Sequence, residues 1–268
     1  MKDLSNENVI HVKKGDVEYL QFKKLLEYKD KIEHCFTLKN LSFGDNISYY
    51  ELQDEVMNNY EKITNALELD KNNIVRPYQT HTNNVECITD EKGIFIKELK
   101  DVDGLLTNQK NEILSLTFAD CMPIFLYDKN KNVIGNIHSG WKGTVKQIGK
   151  VAVQKMISFY GSNIEDIIVV IGPTIRKCHF EVEEDVKNLF VDSFRTEEIV
   201  ELGEVKEGKQ RYFIDAVKAN IDMFKLLGIK EENIVDCGIC TVCNKDIIHS
   251  YRAEGKLSGR NTSLIALK

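Results

Sequence analysis

Two histidines and one cysteine are the residues of this chain best suited to metal chemistry. His81, Cys121 and His138 each lie just beyond an apolar stretch that is typical of a buried strand. Two imidazoles and a thiolate suit zinc, and three protein ligands with an open fourth position are typical of a catalytic zinc site. The gaps of 40 and 17 residues between them match no compact ligand motif, so spacing alone does not identify the site.

The same residues allow two other interpretations. Cys121 could be a nucleophile with His138 as its base, which is the arrangement of cysteine hydrolases. Alternatively, Cys121 is a small buried hydrophobic residue, and each histidine is a hydrogen-bonded residue at a strand end.

A second group of candidate ligands is the C-x2-C-x2-C run formed by Cys237, Cys240 and Cys243. It resembles part of an iron–sulfur ligand set, but the usual fourth cysteine followed by proline is missing nearby. A cluster would need a distant residue such as Cys178. We therefore predict reduced structural cysteines and no iron–sulfur cluster.

Anion binding is suggested by the glycine-rich segment 140–144, which precedes a predicted helix starting at Thr144. Backbone N–H groups and the positive end of the helix dipole could hold an anion there, helped by Lys142. Arg252 and Arg260 are further candidates, although a solvated polar loop is the default interpretation of their segment.

Buried strands and amphipathic helices must position these residues. Apolar runs and alternation predict strands at residues 17–22, 32–38, 74–75, 85–88, 93–96, 104–108, 113–118, 133–137, 167–171, 234–235, 247–251 and 262–266. Helical spacing predicts helices at 50–69, 144–160, 183–194 and 215–227, and residues 39–48 have the composition of a surface loop. Strands outnumber helices without alternating strictly with them, so we expect an α+β fold with mixed β-sheets.

Size and composition describe an ordinary globular protein. The 268 residues include 42% hydrophobic and 29% charged residues, and no linker divides them, so we expect a single domain over residues 1–268. The net charge of −6 argues against nucleic acid as a partner. There is no signal-like segment or membrane-spanning run, and the seven cysteines form no evident disulfide framework. We therefore expect a cytoplasmic protein that is not associated with a membrane.

Several short motifs, taken together, resemble the YfiH-type or laccase-domain family. They occur in family order from about His34 to the C-terminus: Gln79-Thr80-His81, residues 119–123 (ADCMP), residues 138–144 (HSGWKGT), Ile171-Gly172-Pro173, residues 240–243 (CTVC), Ser250-Tyr251-Arg252 and Gly259-Arg260. The family often has glycine where this chain has Thr82. It usually has arginine in place of Lys142, and lysine lacks the planar fork needed for bidentate contacts.

The resemblance implies a fold of mixed sheets packed together between helical layers, and one zinc ion per chain held by His81, Cys121 and His138. The activities attributed to the family disagree: polyphenol oxidation, purine nucleoside phosphorolysis with adenosine deamination, and editing of a peptidoglycan precursor. A multicopper oxidase needs about ten histidines, many in His-x-His pairs, to hold its coppers. This chain has six histidines and no such pair, so the multicopper interpretation fails.

The leading hypothesis is therefore a zinc enzyme that acts on purine nucleosides and phosphate. Adenosine and inosine are the expected substrates, methylthioadenosine is a further candidate, and adenosine deamination would be a second activity. Asp120 is the candidate proton carrier, and Lys142 and Arg252 are the candidate anion-binding residues. The alternatives are a zinc or cysteine hydrolase acting on a cell-wall peptide precursor, and a zinc-stabilised binding module without turnover.

Overall fold

Fifteen strands form the framework of the computed structural model, which describes residues 2–44, 54–89 and 99–268. The strands are β1 (Val9–Lys14), β2 (Val17–Phe22), β3 (Ile32–Thr37), β4 (Ile74–Val75), β5 (Val85–Ile88), β6 (Gly104–Thr107), β7 (Ile113–Phe118), β8 (Met122–Asp128), β9 (Val133–Ser139), β10 (Ile167–Ile171), β11 (Glu181–Val182), β12 (Val200–Lys206), β13 (Lys209–Ile214), β14 (Ile234–Asp236) and β15 (Asn261–Leu267).

Most strands belong to two six-stranded mixed sheets. The first sheet has the order β1-β2-β3-β15-β7-β4, and the second has the order β14-β10-β8-β9-β6-β5. In each sheet the parallel pairs lie at or next to an edge, such as β4 with β7 and β5 with β6, while the central pairs are antiparallel. A smaller three-stranded sheet, β11-β13-β12, contains a hairpin that was not predicted from the sequence.

Within the described residues, seven α-helices accompany the sheets: α1 (Lys23–Leu26), α2 (Asp54–Leu67), α3 (Trp141–Val145), α4 (Ile148–Tyr160), α5 (Glu184–Phe194), α6 (Ala216–Leu226) and α7 (Tyr251–Glu254). None of the helices in the described ranges is long and apolar enough to cross a membrane.

The main core lies between the two large sheets. Phe22 and Phe36 of the first sheet belong to the same buried cluster as Phe125 and Val170 of the second, and the Phe22 and Phe125 rings are 5.2 Å apart. Two further clusters cover the outer faces. Helix α2 packs on the first sheet, and α4 and α6 pack on the second. The layers therefore run helix, sheet, sheet, helix.

This architecture confirms the predicted α+β fold with mixed sheets, and the central predicted strands and helices are present. Single-domain organisation stays a prediction. Part of the predicted loop at 39–48, the start of the predicted helix at 50–69 and the predicted strand at 93–96 lie outside the described residues.

Three local predictions are wrong. The helix predicted at 144–160 is two helices, because Gln147 adopts a left-handed conformation (φ 55°) between α3 and α4. Second, the strand predicted at 247–251 is instead a turn followed by α7. The Ser250 side chain caps the first turn of α7. Third, the strand predicted to end at 137 runs on to Ser139, so His138 lies within β9 and not beyond it.

Candidate metal centre

The three predicted ligands lie close together where the two large sheets meet. Cys121 lies in the short connection from β7 to β8, and His138 lies near the end of β9, opposite Pro123 of β8. His81 is in the loop after β4, with φ 64°. Gln79 anchors that loop to β7, since its amide both donates to the Thr117 carbonyl (3.0 Å) and accepts from the Thr117 N–H (2.9 Å).

The donor atoms converge on one point. One donor atom from each of His81, Cys121 and His138 lies within 4.8 Å of the others. Cys121 Sγ is 3.7 Å from His81 Nε2, and the two imidazole rings have centroids 4.9 Å apart. His138 is buried, Cys121 is half-buried and His81 is exposed. The group of donor atoms is thus buried on the side of His138 and open to solvent on the side of His81.

Asp103, which sequence reasoning missed, orients both histidines. Its carboxylate lies 2.8 Å from His138 Nδ1 and accepts hydrogen bonds from the backbone N–H groups of His81 (3.0 Å) and Thr82 (2.6 Å). A carboxylate on the far nitrogen of a histidine is the usual partner of a metal ligand, because it fixes the tautomer and the ring orientation. His138 Nε2 is thereby left to face the cavity. The only signal in the sequence was an Asp-Gly turn before β6.

The electrostatics of the centre favour a thiolate. Burial raises the pKa of the Cys121 thiol, but the neighbouring His138 and His81 outweigh burial and lower this pKa to about 6. Burial opposes the charge of His138 as well, while Cys121 and Asp103 raise its pKa to about 9. The pKa of Asp103 falls to about 2, because hydrogen bonds and charge from His138 and Thr82 outweigh its burial. The half-buried Cys121 thiolate and the buried Asp103 carboxylate thus lie on either side of His138, and their negative charge must be balanced by a proton or a metal cation.

Gly140 leaves the space that this centre needs. A Cβ atom at Gly140 would lie 2.5 Å from His81 Cδ2 and 3.2 Å from Cys121 Sγ. The close approach of the backbone, the convergent donors and the soft thiolate fit a transition-metal ion such as zinc. Among the described residues, no fourth His, Cys, Asp or Glu joins the group, so the fourth position faces the cavity.

That cavity has a volume of about 430 Å³. Its lining includes the three candidate ligands together with Asp120, Arg252 and Arg260. Trp141, Phe180 and Tyr251 supply aromatic walls. The cavity therefore places a metal-binding group, two cations and flat apolar surfaces around one space.

Asp120 lines the cavity but has partners for both carboxylate oxygens. Oδ1 accepts from the Thr241 hydroxyl (2.5 Å), and Oδ2 accepts from the backbone N–H of Arg252 (2.6 Å). Asp120 lies beyond the predicted strand 113–118, in the β7–β8 connection, with φ 79°. Its carboxylate holds the start of α7, and with it Arg252, against the cavity wall.

The predicted anion site at residues 140–144 looks different in the structure. Lys142 is not among the residues that line the cavity, and its Nζ lies 5.6 Å from the centroid of the Trp141 ring. Helix α3 has only five residues, and the long helix begins later, at Ile148. The Thr144 hydroxyl is buried against Ser139 and Gly140. The cations that border the cavity are instead Arg252 and Arg260.

The three clustered cysteines separate in the fold. Cys237 is buried against the main core, whereas Cys240 and Cys243 approach Cys178 and His179. All seven cysteines of the chain are free.

Comparison with known proteins identifies the family. Residues 36–268 match the family described as multi-copper polyphenol oxidoreductase laccase. The chain belongs to this laccase-domain family. The resemblance predicted from the motifs is thereby confirmed.

Relatives of this laccase-domain chain carry a nucleoside-related name. This chain is 34% identical over 233 residues to purine nucleoside phosphorylase YlmD of Bacillus subtilis (strain 168), and the match covers 85% of this chain and 82% of the relative. It is also 31% identical over 261 residues to purine nucleoside phosphorylase SA1030 of Staphylococcus aureus (strain N315), covering 90% and 95%.

Two solved structures share the fold of the laccase-domain chain. The hypothetical protein YfiH of Bacillus licheniformis superposes with a TM-score of 0.81 at 29% identity, covering 93% of this chain and 96% of that one. YlmD of Geobacillus stearothermophilus superposes with a TM-score of 0.85 at 22% identity, covering 97% and 99%.

The described part of the chain offers no ligand set for the several copper ions that the family name implies. Of the six histidines, all of which lie in described ranges, only His81, His138 and His179 belong to groups that could hold a metal ion. His34 is instead engaged in the core, where its Nε2 accepts the Phe22 N–H.

Proposed function

We propose that this protein is a zinc-dependent purine nucleoside phosphorylase acting on adenosine and inosine, with adenosine deamination as a second activity. The observation that carries the proposal is the cavity of about 430 Å³, in which the candidate metal centre faces two arginines. This volume lies in the range of about 300–1,000 Å³ that is usual for small-molecule sites. The relatives named purine nucleoside phosphorylase support the same substrate class.

His81, Cys121 and His138 would hold the zinc ion, and the cavity would supply its fourth position. A zinc ion there acts as a Lewis acid that polarises an oxygen ligand and lowers its pKa towards neutrality. Asp103 fixes the orientation of His138 and balances the charge of the centre.

Phosphate binding is assigned to the arginines. Arg252 uses Nη1 and Nη2 to donate to the carbonyls of His179 (2.6 Å) and Glu181 (3.2 Å), which fixes the plane of its guanidinium. A guanidinium has five N–H donors, so donors of Arg252 remain for a phosphate in the cavity. Arg260 lines the same space. Lys142 would contribute only long-range positive charge.

In phosphorolysis, a phosphate oxygen forms a bond to the ribose C1′ while the bond from C1′ to the purine nitrogen breaks. The purine leaves with the bonding electron pair and takes up a proton, and ribose 1-phosphate is the other product. Flat side chains such as Trp141 and Tyr251 offer surfaces on which a purine can stack. Deamination instead adds water to the purine C6 and releases ammonia.

Asp120 is the proposed proton carrier for the deamination. Its carboxylate is within the cavity lining, and a proton could pass to Oδ1 if the Thr241 hydroxyl turned away. The two existing hydrogen bonds to Asp120 mean that the same residue also positions Arg252.

We propose the cytoplasm as the location of this protein, because the seven free cysteines of the chain would stay reduced there.

Assays of the purified protein test this function. With inosine, product should appear only when phosphate is present, whereas adenosine should yield ammonia with or without phosphate. Arg252→Gln should lower kcat/KM for phosphorolysis about 100-fold or more. Arg195→Gln, which removes an arginine outside the cavity lining, is the matched control. Phosphate-independent turnover of inosine, or no turnover of either nucleoside, would reject the proposal.

A second candidate, a cysteine hydrolase for amide substrates such as a cell-wall peptide precursor, is favoured by one observation. Cys121, His138 and Asp103 form a chain of thiol, imidazole and carboxylate, and the lowered pKa of Cys121 fits a nucleophile. His138 Nε2 cannot both bind zinc and take the thiol proton, so the two functions exclude each other. A covalent substrate adduct on Cys121 in intact zinc-loaded protein during turnover would select the hydrolase.

A binding module without turnover is the remaining alternative. A structural zinc site fills all four positions from protein, whereas the described residues supply only three donors here. Retention of zinc with no reaction of any nucleoside or amide would favour the module.

A further inference from the structure

A second group of metal-ligand side chains lies away from the cavity ligands. Cys178, His179, Cys240 and Cys243 each offer a donor atom, and these four atoms all lie within 4.8 Å of one another. Cys240 is buried, His179 is half-buried, and Cys178 and Cys243 are exposed. Cys178 and His179 are neighbours in the loop after β10. Cys240 lies just before a short 3-10 helix, Val242–Asn244, and Cys243 lies within it.

Four of five distances within this group are close to those expected around one tetrahedral ion, and the fifth, between His179 and Cys178, is shorter. Cys178 Sγ is 3.7 Å from Cys240 Sγ and 3.9 Å from Cys243 Sγ. His179 Nδ1 lies 3.1 Å, 3.7 Å and 3.6 Å from the sulfurs of Cys178, Cys240 and Cys243. Zinc bonds of about 2.3 Å to sulfur and about 2.0 Å to nitrogen place tetrahedral ligands ~3.8 Å apart for two sulfurs and ~3.5 Å apart for sulfur and nitrogen.

The backbone holds the two halves of the group together. Thr174 and Cys240 form an isolated parallel bridge, and the Thr241 N–H donates to the Thr174 carbonyl (3.1 Å). The Asn244 side-chain amide donates to the Cys240 carbonyl (2.8 Å) and so fixes the turn that carries Cys240 and Cys243.

We propose that Cys178, His179, Cys240 and Cys243 bind a second zinc ion, as a structural site filled entirely by protein ligands. Three cysteines and one histidine are a common ligand set of structural zinc. An iron–sulfur cluster is a poorer fit, because the four donors converge on one point instead of spreading around several irons. Cys237, the remaining member of the C-x2-C-x2-C run, is not in the group.

The second ion would brace the arginine side of the cavity. The carbonyl of His179 accepts the hydrogen bond from Arg252 Nη1. Thr241, the neighbour of Cys240, donates to the Asp120 carboxylate, which in turn accepts from the Arg252 backbone. Two of the three protein contacts of Arg252 described above therefore lead to a proposed zinc ligand, His179, or through Asp120 to Thr241, the neighbour of another.

Metal analysis of protein purified without chelators tests the site independently of any activity. Wild-type protein should contain two zinc ions per chain. The double variant His81→Ala/His138→Ala should retain one, and Cys240→Ser/Cys243→Ser should also retain one. Cys87→Ser, which removes a free thiol outside both groups, is the control and should retain two. Loss of all zinc from the histidine variant, or two ions in the double-serine variant, would overturn the proposal.

A measurement without cysteine variants guards against misfolding of the double-serine protein. The histidine variant loaded with cobalt should show thiolate-to-cobalt charge transfer and the intense visible bands of a tetrahedral ion. Zinc-loaded protein kept under reductant should resist iodoacetamide at Cys178 and Cys243, and a chelator should expose both. Rapid alkylation of the zinc-loaded protein, or a disulfide within the group, would contradict a zinc site. Failure of the nucleoside assays would leave these readouts unchanged.

Discussion

Asp103 is the single side chain on which both histidines of the candidate metal centre depend. One carboxylate contacts His138 Nδ1 and also holds the backbone at His81. Because Asp103 is fully buried, water cannot substitute for its charge. Metal affinity at this centre should therefore respond strongly to a change that leaves all three ligands in place.

Asp103→Asn should lower metal affinity at this centre about 10- to 100-fold. The amide can still accept a hydrogen bond from His138, but it removes the negative charge that offsets the bound cation. Competition with a chromophoric chelator measures the affinity. Asp101→Asn is the matched control, since Asp101 lies in the same segment and its carboxylate accepts from the Thr80 hydroxyl instead. Equal affinities for the Asp103 variant and wild type would show that the contact is only structural.

Cys121→Ala should lose the metal of this centre together with activity and retain only the second ion, because it removes one of the three donors that the described residues supply here. Cys121→His should retain part of the metal, since imidazole can still coordinate zinc. Elemental analysis of each variant, alongside its nucleoside assays, measures both properties. Full metal content in Cys121→Ala would exclude the thiolate as a ligand.

At the residue scale, the sequence predicted the donors but not their support. Histidines and cysteines are few enough that His81, Cys121 and His138 could be singled out. Acidic residues number 42, and beyond its place in an Asp-Gly turn nothing local distinguishes Asp103 from the others. Cys178 was named only as a distant candidate, and His179 was not recognised as a partner of Cys240 and Cys243, because about 60 residues of chain separate two turns that only the folded sheets bring together.

At the scale of elements, the turn after β9 lets the backbone approach the metal ligands. Gly140 has φ −67° and ψ 164°, a conformation open to any residue. Its lack of a side chain is required only by the closeness of His81 and Cys121.

Gly140→Ala should therefore fold normally but bind metal at this centre more weakly, by at least about tenfold, because the methyl group displaces the His81 ring. Thermal unfolding of the chelated protein checks the fold, and metal titration checks the centre. Gly238→Ala serves as a comparison, because no heavy atom lies within 4 Å of its added Cβ, although its φ of 73° adds strain. A large loss of stability in chelated Gly140→Ala would show that the glycine serves the fold.

His34 in β3 makes the first sheet sensitive to acid. Burial lowers its pKa to about 3, and its Nε2 accepts the Phe22 N–H at 2.8 Å, which requires the neutral ring. The unfolded chain binds this proton near pH 6.5, whereas the native protein does not until about pH 3. The stabilisation is therefore complete above pH 6.5 and is lost progressively as the pH falls towards 3.

Urea unfolding of wild type and His34→Gln at pH 7 and pH 5 measures this effect. The glutamine can accept the same N–H but does not titrate. Wild type should lose about 2 kcal/mol more of its unfolding free energy than the variant between the two pH values. Equal losses in both proteins would mean that His34 is protonated, or exposed, in the native state.

Elements were predictable where local pattern and burial agree. The run that became β10 is apolar throughout, the run that became β7 is apolar except for Ser115 and Thr117, and both strands are entirely buried. The break at Gln147 was hidden, because apolar periodicity continues across it, while the Gln147 side chain bonds to the Ser193 carbonyl from a distant helix. In the hairpin, β12 is largely exposed and β13 is mostly half-buried, and neither has much of the apolar–polar alternation that marks a strand with one buried face.

At the scale of the whole molecule, one buried amide joins the two large sheets. Asn136 of β9 donates to the carbonyls of Leu114 in β7 and Ser263 in β15, at 2.9 Å and 3.1 Å. The Ser263 hydroxyl donates back to its Oδ1 at 2.7 Å. Asn136 is inaccessible to solvent, so water cannot replace the hydrogen bonds that it makes to these partners.

Asn136→Ala should lower the free energy of unfolding by about 3 kcal/mol, since it leaves buried polar groups without partners. Metal content should not change. Ser263→Ala, which removes only the returning hydroxyl, should cost about 1 kcal/mol. Chemical denaturation measures both variants, and a cost for Asn136→Ala no larger than that of Ser263→Ala would argue against the amide as a link between sheets.

The order of strands could not be predicted at this scale. Local patterning predicts that β3, β7 and β15 are strands, but their pairing joins residues more than 140 positions apart. The choice of neighbours depends on the packing of whole layers, which a single sequence does not display.

The central place of β15 has a consequence for how the protein is made. β15 lies between β3 and β7. Residues 32–37 therefore cannot pair with their neighbour in the sheet until residues 261–267 have been synthesised. During synthesis at about 5–20 residues per second, β3 and β7 emerge many seconds before their shared neighbour. Their unpaired edges are exposed throughout that interval, and long-range pairing of this kind is slow. The nascent chain is therefore a natural client for chaperones until its final strand leaves the ribosome.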